Sequence, residues 1–434
     1  MNIAWMTRAL RSPNYRIFFC GQIVSLVGNW MSSVALSWLV YRLTNSTLLL
    51  GTVAFAGQIP AFLLGPFAGV WVDRLNRLRV LKWTQTAAMA QSFALAFLTL
   101  THQITVPHIL LLSAFQGLIN SFDMPARQSF VVQMVEDRAD LPNAIALNSS
   151  MVNAARLLGP AVAGAIIAVA GEGICFFLDG FSYLAVLASL YFMRVREQPA
   201  PKNLASPLAS LVEGWQYVSR FTPVRTILLL MAIVSFSSLP YTVLMPAVAT
   251  DVLHGDSHAL GYLMAGSGIG ALCGALFLAS RRSVLGLGRI IPRATATLGL
   301  GLILFSLSRN LWLSIALMPL AGFGFMVQMA ACNTLLQTIV PDDKRGRAMS
   351  FFFMAFQGTL PFGSLISGAL SPRIGPMETI LLSGVCALCS AVWFYFMLPG
   401  FRDEVRPIYR TLGILPAEVV GVANAAAATA ESGR

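Results

Sequence analysis

Gly69-Val70-Trp71-Val72-Asp73-Arg74-Leu75-Asn76-Arg77-Leu78-Arg79 is a short charged run between two apolar segments, at about residues 47–72 and 80–101. Each segment reaches the roughly 20 residues that cross a bilayer as a helix, so the link turns tightly at one membrane face. Gly69 lets two helices approach closely, and Asp73 ends the first of them. Arg74, Arg77 and Arg79 hold the turn in water and headgroups. An ordinary charged loop would solvate these residues equally well. The spacing, Gly then Asp-Arg four residues on and Arg three later, is that of a built hinge.

The rest of the chain agrees with a membrane setting. It has 434 residues, 56% hydrophobic and only 11% charged, against about 25% charged in soluble globular proteins. Arg8, Arg11 and Arg16 precede an apolar run at about 17–43, too long for a secretion signal and read as an uncleaved first span. Twelve apolar segments can be placed, at approximately 17–43, 47–72, 80–101, 106–131, 147–170, 174–194, 223–249, 259–280, 289–308, 311–339, 348–371 and 377–398. The connections are short except for 195–222, which is polar and carries Pro199, Pro201 and Pro207. Inside it, Leu208, Leu211, Val212, Trp215 and Val218 recur at helical spacing after a Ser206-Pro207 start signal. That predicts an amphipathic helix lying on the cytoplasmic surface.

The net charge of +11 would suggest nucleic acid in a soluble protein, but its distribution excludes that use. Of the 29 Lys and Arg, only Arg42, Arg309 and Arg373 fall in one set of alternate loops and Arg156 in a span; the others share the tails and opposite loops. This is the positive-inside pattern, and it places both termini in the cytoplasm. Cys386-Ala-Leu-Cys389 has metal-like spacing but lies on one apolar helix without a second pair, so packing is the expected role. His254 and His258, near Asp251 and Asp256, read as a solvated loop. No metal and no cofactor is expected. The chain has no Walker A run, no HExxH and no nucleophile elbow, and it is not read as an enzyme.

The two halves repeat. Ala61, Gly65 and Gly69 match Gly266, Gly270 and Gly274 at an offset of 205, and Val135 matches Val340 at the same offset. Paired halves with a site between them near mid-membrane are the usual build of secondary transporters, and small residues every four positions let helix backbones touch. In this register Leu278 stands where Asp73 would be, so any latch belongs mainly to the first half.

Polar groups inside spans are expensive unless used. Arg156 lies about nine residues into the fifth span, with Asn153 three residues away on the same face. It either lines a wet cavity, meeting an anionic substrate or a relay carboxylate, or ties helix ends together. Asp179 is the carboxylate well inside a span. It lies roughly 9 Å from the outer end of its helix and Arg156 about 20 Å from that face, so no pairing is assumed. Burial disfavours a charged carboxylate, which makes Asp179 a candidate proton carrier; the alternative is a hydrated residue at the cavity mouth. Asn29, Gln58, Gln116, Asn120, Gln328 and Asn333 could hydrogen-bond cargo or join helices. Asp123-Met-Pro125-Ala-Arg127-Gln128 closes the fourth span, with Asp123 and Arg127 four apart on one face as candidate partners for Arg74 and Asp73. In the second half, Pro341-Asp342-Asp343-Lys344-Arg345-Gly346-Arg347 forms a charged turn. The next helix is expected to start near Ala348, where its dipole end could meet Asp73.

The hinge, Gly159-Pro160-Ala-Val-Ala-Gly164, Asp123-Met-Pro-Ala-Arg127-Gln and Asn143-Ala-Ile-Ala-Leu-Asn148-Ser together resemble the major facilitator superfamily, in the branch of enterobactin exporters and macrolide-efflux proteins. The resemblance covers about residues 10–400. It implies an all-α integral membrane protein of 12 transmembrane helices in two pseudo-symmetric six-helix bundles. These would be 1–194 and 223–400, joined by the 195–222 linker and followed by a cytoplasmic tail at 401–434 with a disordered end. Gly69, Asp73, Arg74 and Arg77 would latch the cytoplasmic ends of the bundles. The stretch Gly159, Pro160 and Gly164 is similar to one associated with antiporters. Two departures matter: relatives have Asp where this chain has Asn29, and Asn where it has Asp179. The expected function is export of a small, drug- or siderophore-like organic molecule across a bacterial inner membrane by alternating access with proton antiport. The expected partners are that molecule, protons and lipid, in a monomer that binds no nucleic acid. A lysophospholipid flippase and a non-transporting receptor or scaffold of the same fold are the alternatives.

Overall fold

The computed structural model describes residues 8–193, 207–281 and 283–414. Within them, Gly69, Asp73 and Arg74 are described as helical backbone only, as are residues 207–212. The geometry of the expected Asp73–Arg74 latch therefore lies outside the described residues, as does the end of the chain expected to be disordered.

The first half contains α1 (Pro13–Thr44), α2 (Thr47–Arg74), α3 (Arg77–Leu100), α4 (Val106–Met134), α5 (Leu141–Ala170) and α6 (Glu172–Phe192). The hinge is tighter than its sequence suggested. Helix α2 runs through Arg74, and Asn76 already caps α3 by accepting from the Arg79 amide at 3.1 Å. On the other face Ser46 caps α2 by accepting from Leu49 at 3.3 Å, and Gly171 turns the chain into α6 at φ +79°. Such caps satisfy the amides that a helix start leaves free.

The second half opens with a surface helix, α7 (Pro207–Arg220), followed by α8 (Thr222–Ser237), the short α9 (Tyr241–Ala247) and α10 (Ser257–Ala279). Then come α11 (Leu287–Leu307), α12 (Leu311–Ile339), α13 (Asp342–Gln357), α14 (Leu360–Ile374) and α15 (Pro376–Thr411). Two expectations change here. Asp342 and Asp343 are the first turn of α13 rather than a loop before Ala348, so that helix start is already complemented by its own carboxylates. Residues 401–411 continue α15 instead of beginning a tail. In α7, Val218 is buried, whereas Trp215 is 62% exposed and tilts against Phe351.

Among the described residues, ten helical stretches are long and apolar enough to cross a membrane. The long helices α3 and α4 fall outside that group; they carry Gln85, Gln91, Gln116, Asn120 and Asp123. Side-chain pairs sort the chain ends onto two faces. Arg8 pairs with Asp140 at 3.0 Å and Arg347 with Glu213 at 2.6 Å on the basic face. On the opposite face Arg42 grips Glu172 through two contacts, at 2.7 and 3.1 Å, and Arg309 lies 3.9 Å from Glu378.

Packing corrects the repeat register. Gly117 on α4 presses on the Gly57 carbonyl, and Gly322 on α12 presses on that of Ser267. The α4 and α12 positions are 205 apart, but their α2 and α10 counterparts are 210 apart. Thr47 and Ser257, and Gly51 and Gly261, repeat the 210 spacing. Helix α10 has 23 residues against 28 in α2, so the two begin alike and α10 stops five residues sooner. The counterpart of Asp73 is then Ser283, just past the end of α10.

Breaks also distinguish the second half. A span interrupted at Ser238-Leu239-Pro240 lies against another interrupted at Gly358-Thr359. Hydroxyls take up carbonyls at the breaks: Ser235 donates to Phe356 O, and Thr359 to Ala232 O at 3.2 Å. A Cβ on Gly363 would sit 2.0 Å from Phe236 O, so only glycine lets these segments touch.

Candidate functional site

The halves meet along two seams on the face opposite the basic one. In one, α5 crosses α10: a Cβ on Gly164 would lie 2.8 Å from Ser257 O and 3.1 Å from Gly261 Cα, and Ser257 donates to Gly164 O at 3.2 Å. In the other, α14 crosses α2: a Cβ on Gly368 would lie 2.6 Å from Thr47 O and 2.9 Å from Gly51 Cα, and Thr47 donates to Gly368 O at 3.1 Å. The same hydroxyl–glycine contact thus occurs twice, once per half. Tyr41 adds a hydrogen bond across the halves to the Asp251 carboxylate, which leaves that acid engaged by a phenol. Asp256, for its part, accepts from the His258 ring at 3.1 Å.

Toward mid-depth the α5–α10 seam ends at Gly268, where a Cβ would lie 3.2 Å from Arg156 O. Beyond that point α4, α5 and α12 present exposed or half-buried polar groups: Asn120, Ser149, Asn333 and Gln337. Arg156 sits at this junction. Its guanidinium carbon is 5.6 Å from the Trp30 ring centre on α1 and 5.4 Å from that of Phe325 on α12. No ion pair or hydrogen bond to the Arg156 side chain is found among the described residues. Phe325 in turn stacks on Phe356 at the α13 break, with centres 6.1 Å apart. Gly159 makes room for this arrangement, since a Cβ there would meet Trp30 Cβ at 2.4 Å. The positive charge is therefore held by two ring faces, one from each half, an arrangement that stabilises a cation without neutralising it.

Asp179 lies apart from Arg156, inside the first half. It is 2% exposed, accepts from Ser92 at 2.8 Å, and faces Ser182 at 3.5 Å. No cation reaches it among the described residues. One turn along α6, the buried Tyr183 hydroxyl accepts from Asn29 at 3.1 Å, and Asn29 is exposed beside Trp30. Asp123 is 5% exposed and fully engaged: Thr84 and Gln85 donate at 2.8 and 2.7 Å, and Arg127 pairs with it directly.

The other sequence candidates divide. Gln116 donates to Asn120 at 3.2 Å, and Gln337 to Asn333 at 3.0 Å. Asn153 turns away from Arg156 and donates to Ser149 O of its own helix at 2.8 Å. Gln328 is fully buried on a 3.9 Å contact to the Met231 sulfur, with its carbonyl oxygen unpartnered. Gln58 is half-buried. Phe325, Tyr183 and the Thr47–Ser257 pair escaped the sequence reading, because aromatic and hydroxyl residues are ordinary in apolar helices. The Pro240 and Gly358-to-Pro361 signals were available for the breaks.

These features define a multi-pass membrane transporter: apolar helices, repeated halves meeting on glycine seams, and a lone cation where the seams end. A family model, transmembrane secretion effector, matches residues 6–411, and the chain belongs to that family of the major facilitator superfamily. It is similar to the staphyloferrin A transporter of Staphylococcus aureus, with 25% identity covering 88% of this chain and 96% of that one. It is similar also to the multidrug efflux pump Tap of Mycolicibacterium fortuitum, with 26% identity over 92% and 98%. The fold matches a bacterial homologue of the human lysosomal transporter Spinster, at a TM-score of 0.69 and 14% identity over 90% of this chain and 98% of that one.

Proposed function

We propose that this protein exports a small organic molecule by alternating access, with 12 helices forming two six-helix bundles at 1–194 and 223–400. The observation that carries the reading is Arg156, a cation at mid-depth without a counter-ion among the described residues, held between rings from both halves. A charge in that position needs water or a ligand near it, and an anionic group on the cargo supplies one. The relatives' names, a staphyloferrin A transporter and a multidrug efflux pump, set the range of cargo. The glycine seams close one face while polar side chains line the other half of the path, which suits an inward-facing state. The Arg-rich face is then cytoplasmic, with both termini, in a bacterial inner membrane. Gly69, Asp73, Arg74 and Arg77 latch that face in the opposite state. Asp179 is the proton carrier for antiport, since it is held only by hydroxyls and can lose or regain a proton without breaking an ion pair.

The test is export into vesicles of a substrate found by an accumulation panel that includes anionic, neutral and cationic compounds. Transport is expected to stop when the pH gradient is collapsed. Arg156→Ala is expected to lower transport of anionic cargo at least tenfold. Unchanged transport in both experiments rejects the reading.

A further inference from the structure

A cavity of about 900 Å³ lies on the basic face, away from Arg156. Helix α7, the end of α12, the start of α13 and the last turn of α15 enclose it. Its charges are unevenly matched. Arg347 is paired with Glu213, and Arg345 reaches Asp342 at 2.5 Å, but the Arg345 Nε is buried without a partner among the described residues. Lys344 has only the Tyr217 ring, 4.9 Å away, and Arg220 is exposed with no partner among the described residues. The opposite wall is apolar, built from Phe221, Ile408 and Leu412.

A basic rim over an apolar wall fits an amphiphile with a phosphate head. Inorganic phosphate would use the rim and leave the wall bare. The same α7 presents Trp215, 62% exposed, on its outer side, and such aromatics settle at headgroup level. Basic pockets beside spanning helices on the cytoplasmic side are suited to anionic lipid heads. We infer that this cavity binds the headgroup of an anionic phospholipid, pinning α7 to the starts and ends of α12, α13 and α15. The site is independent of the cargo path, so its failure and that of the export reading are separable.

The experiment titrates phosphatidylglycerol, phosphatidylcholine and inorganic phosphate, separately, into the full-length detergent-solubilised protein, with bound molecules counted by native mass spectrometry. Saturable binding of one phosphatidylglycerol is expected, at least tenfold tighter than phosphatidylcholine and not displaced by an equal concentration of phosphate. Arg220→Gln with Lys344→Gln removes two positive charges and is expected to weaken it about 30-fold. Neither residue makes an ion pair among the described residues, and the charge-keeping Arg220→Lys with Lys344→Arg is expected to restore binding. Equal binding of both lipids, displacement by phosphate, or unchanged affinity in the glutamine variant would overturn the assignment.

Discussion

Asp123 and Gln328 stand 205 positions apart, in the register that also relates Gly117 to Gly322, yet their surroundings differ. Asp123 is held by Thr84, Gln85 and Arg127, whereas Gln328 has a sulfur for company and a bare carbonyl oxygen. The contrast extends to the halves. The buried carboxylates among the described residues, Asp123, Glu172 and Asp179, all lie in the first half. In the second half, polarity enters as interrupted backbone, tied by Ser235 and Thr359. One scaffold has thus been specialised in two ways: fixed charge in one half, discontinuous helices in the other. Charge can titrate and broken helices can bend, and the proposed antiport would draw on the first half for its proton and on the second for its change of shape.

The sharpest way to break this comparison is to remove each member of the pair. Asp123→Ala strands a half-buried arginine and two buried donors and is expected to destabilise the protein by about 3 kcal/mol. Gln328→Leu removes an amide that is already poorly partnered, and its effect is expected to stay within about 1 kcal/mol. Chemical unfolding in bicelles measures both, and equal losses would erase the contrast. Next come the seams. Gly164→Val and Gly368→Val overpack backbones that now touch, typically at about 1–3 kcal/mol. The closed population should then fall roughly 5- to 150-fold. Spin labels on Asn45 and Arg373, on the seam face in opposite halves, should report longer distances; unchanged distances would show that the seams do not set closure.

Asp179→Asn tests the assignment of proton handling. Uptake driven by an imposed pH gradient is expected to drop at least tenfold while substrate exchange at equal pH persists, a division that a purely structural residue would not produce. The smallest effect is expected from Thr47→Val and Ser257→Ala. Each removes one interhelical hydrogen bond, worth about 0.6 kcal/mol on average in a membrane. Matching losses in the two would support the seams as equivalent. A loss confined to one would make closure lopsided.

Much of this is legible in the sequence. Apolar length and arginine placement mark the spans, and Asn76, capping α3 one residue past Leu75, explains why so short a link suffices. The separation of Asp179 from Arg156 followed from helix rise alone. What could not be read was mutual facing across the halves. Nothing in the spacing of Phe325 tells that it meets Arg156, or that Asn153, one turn away, hydrogen-bonds its own helix instead. The five-residue shortening of α10 was hidden because Gly266, Gly270 and Gly274 are spaced like Ala61, Gly65 and Gly69, and a four-residue pattern matches itself in several registers.

The final turn of α1 holds two neighbouring side chains with different loyalties. Tyr41 reaches Asp251 in the other half, while Arg42 is fastened to Glu172 in its own. In the proposed alternating access the phenol would let go, while the guanidinium would keep the tip of the helix where it was. Parting of that rim would then require no local melting. The strike plate would stay mounted when the bolt withdraws, and the same contact could re-form in each proposed cycle without a search for its place.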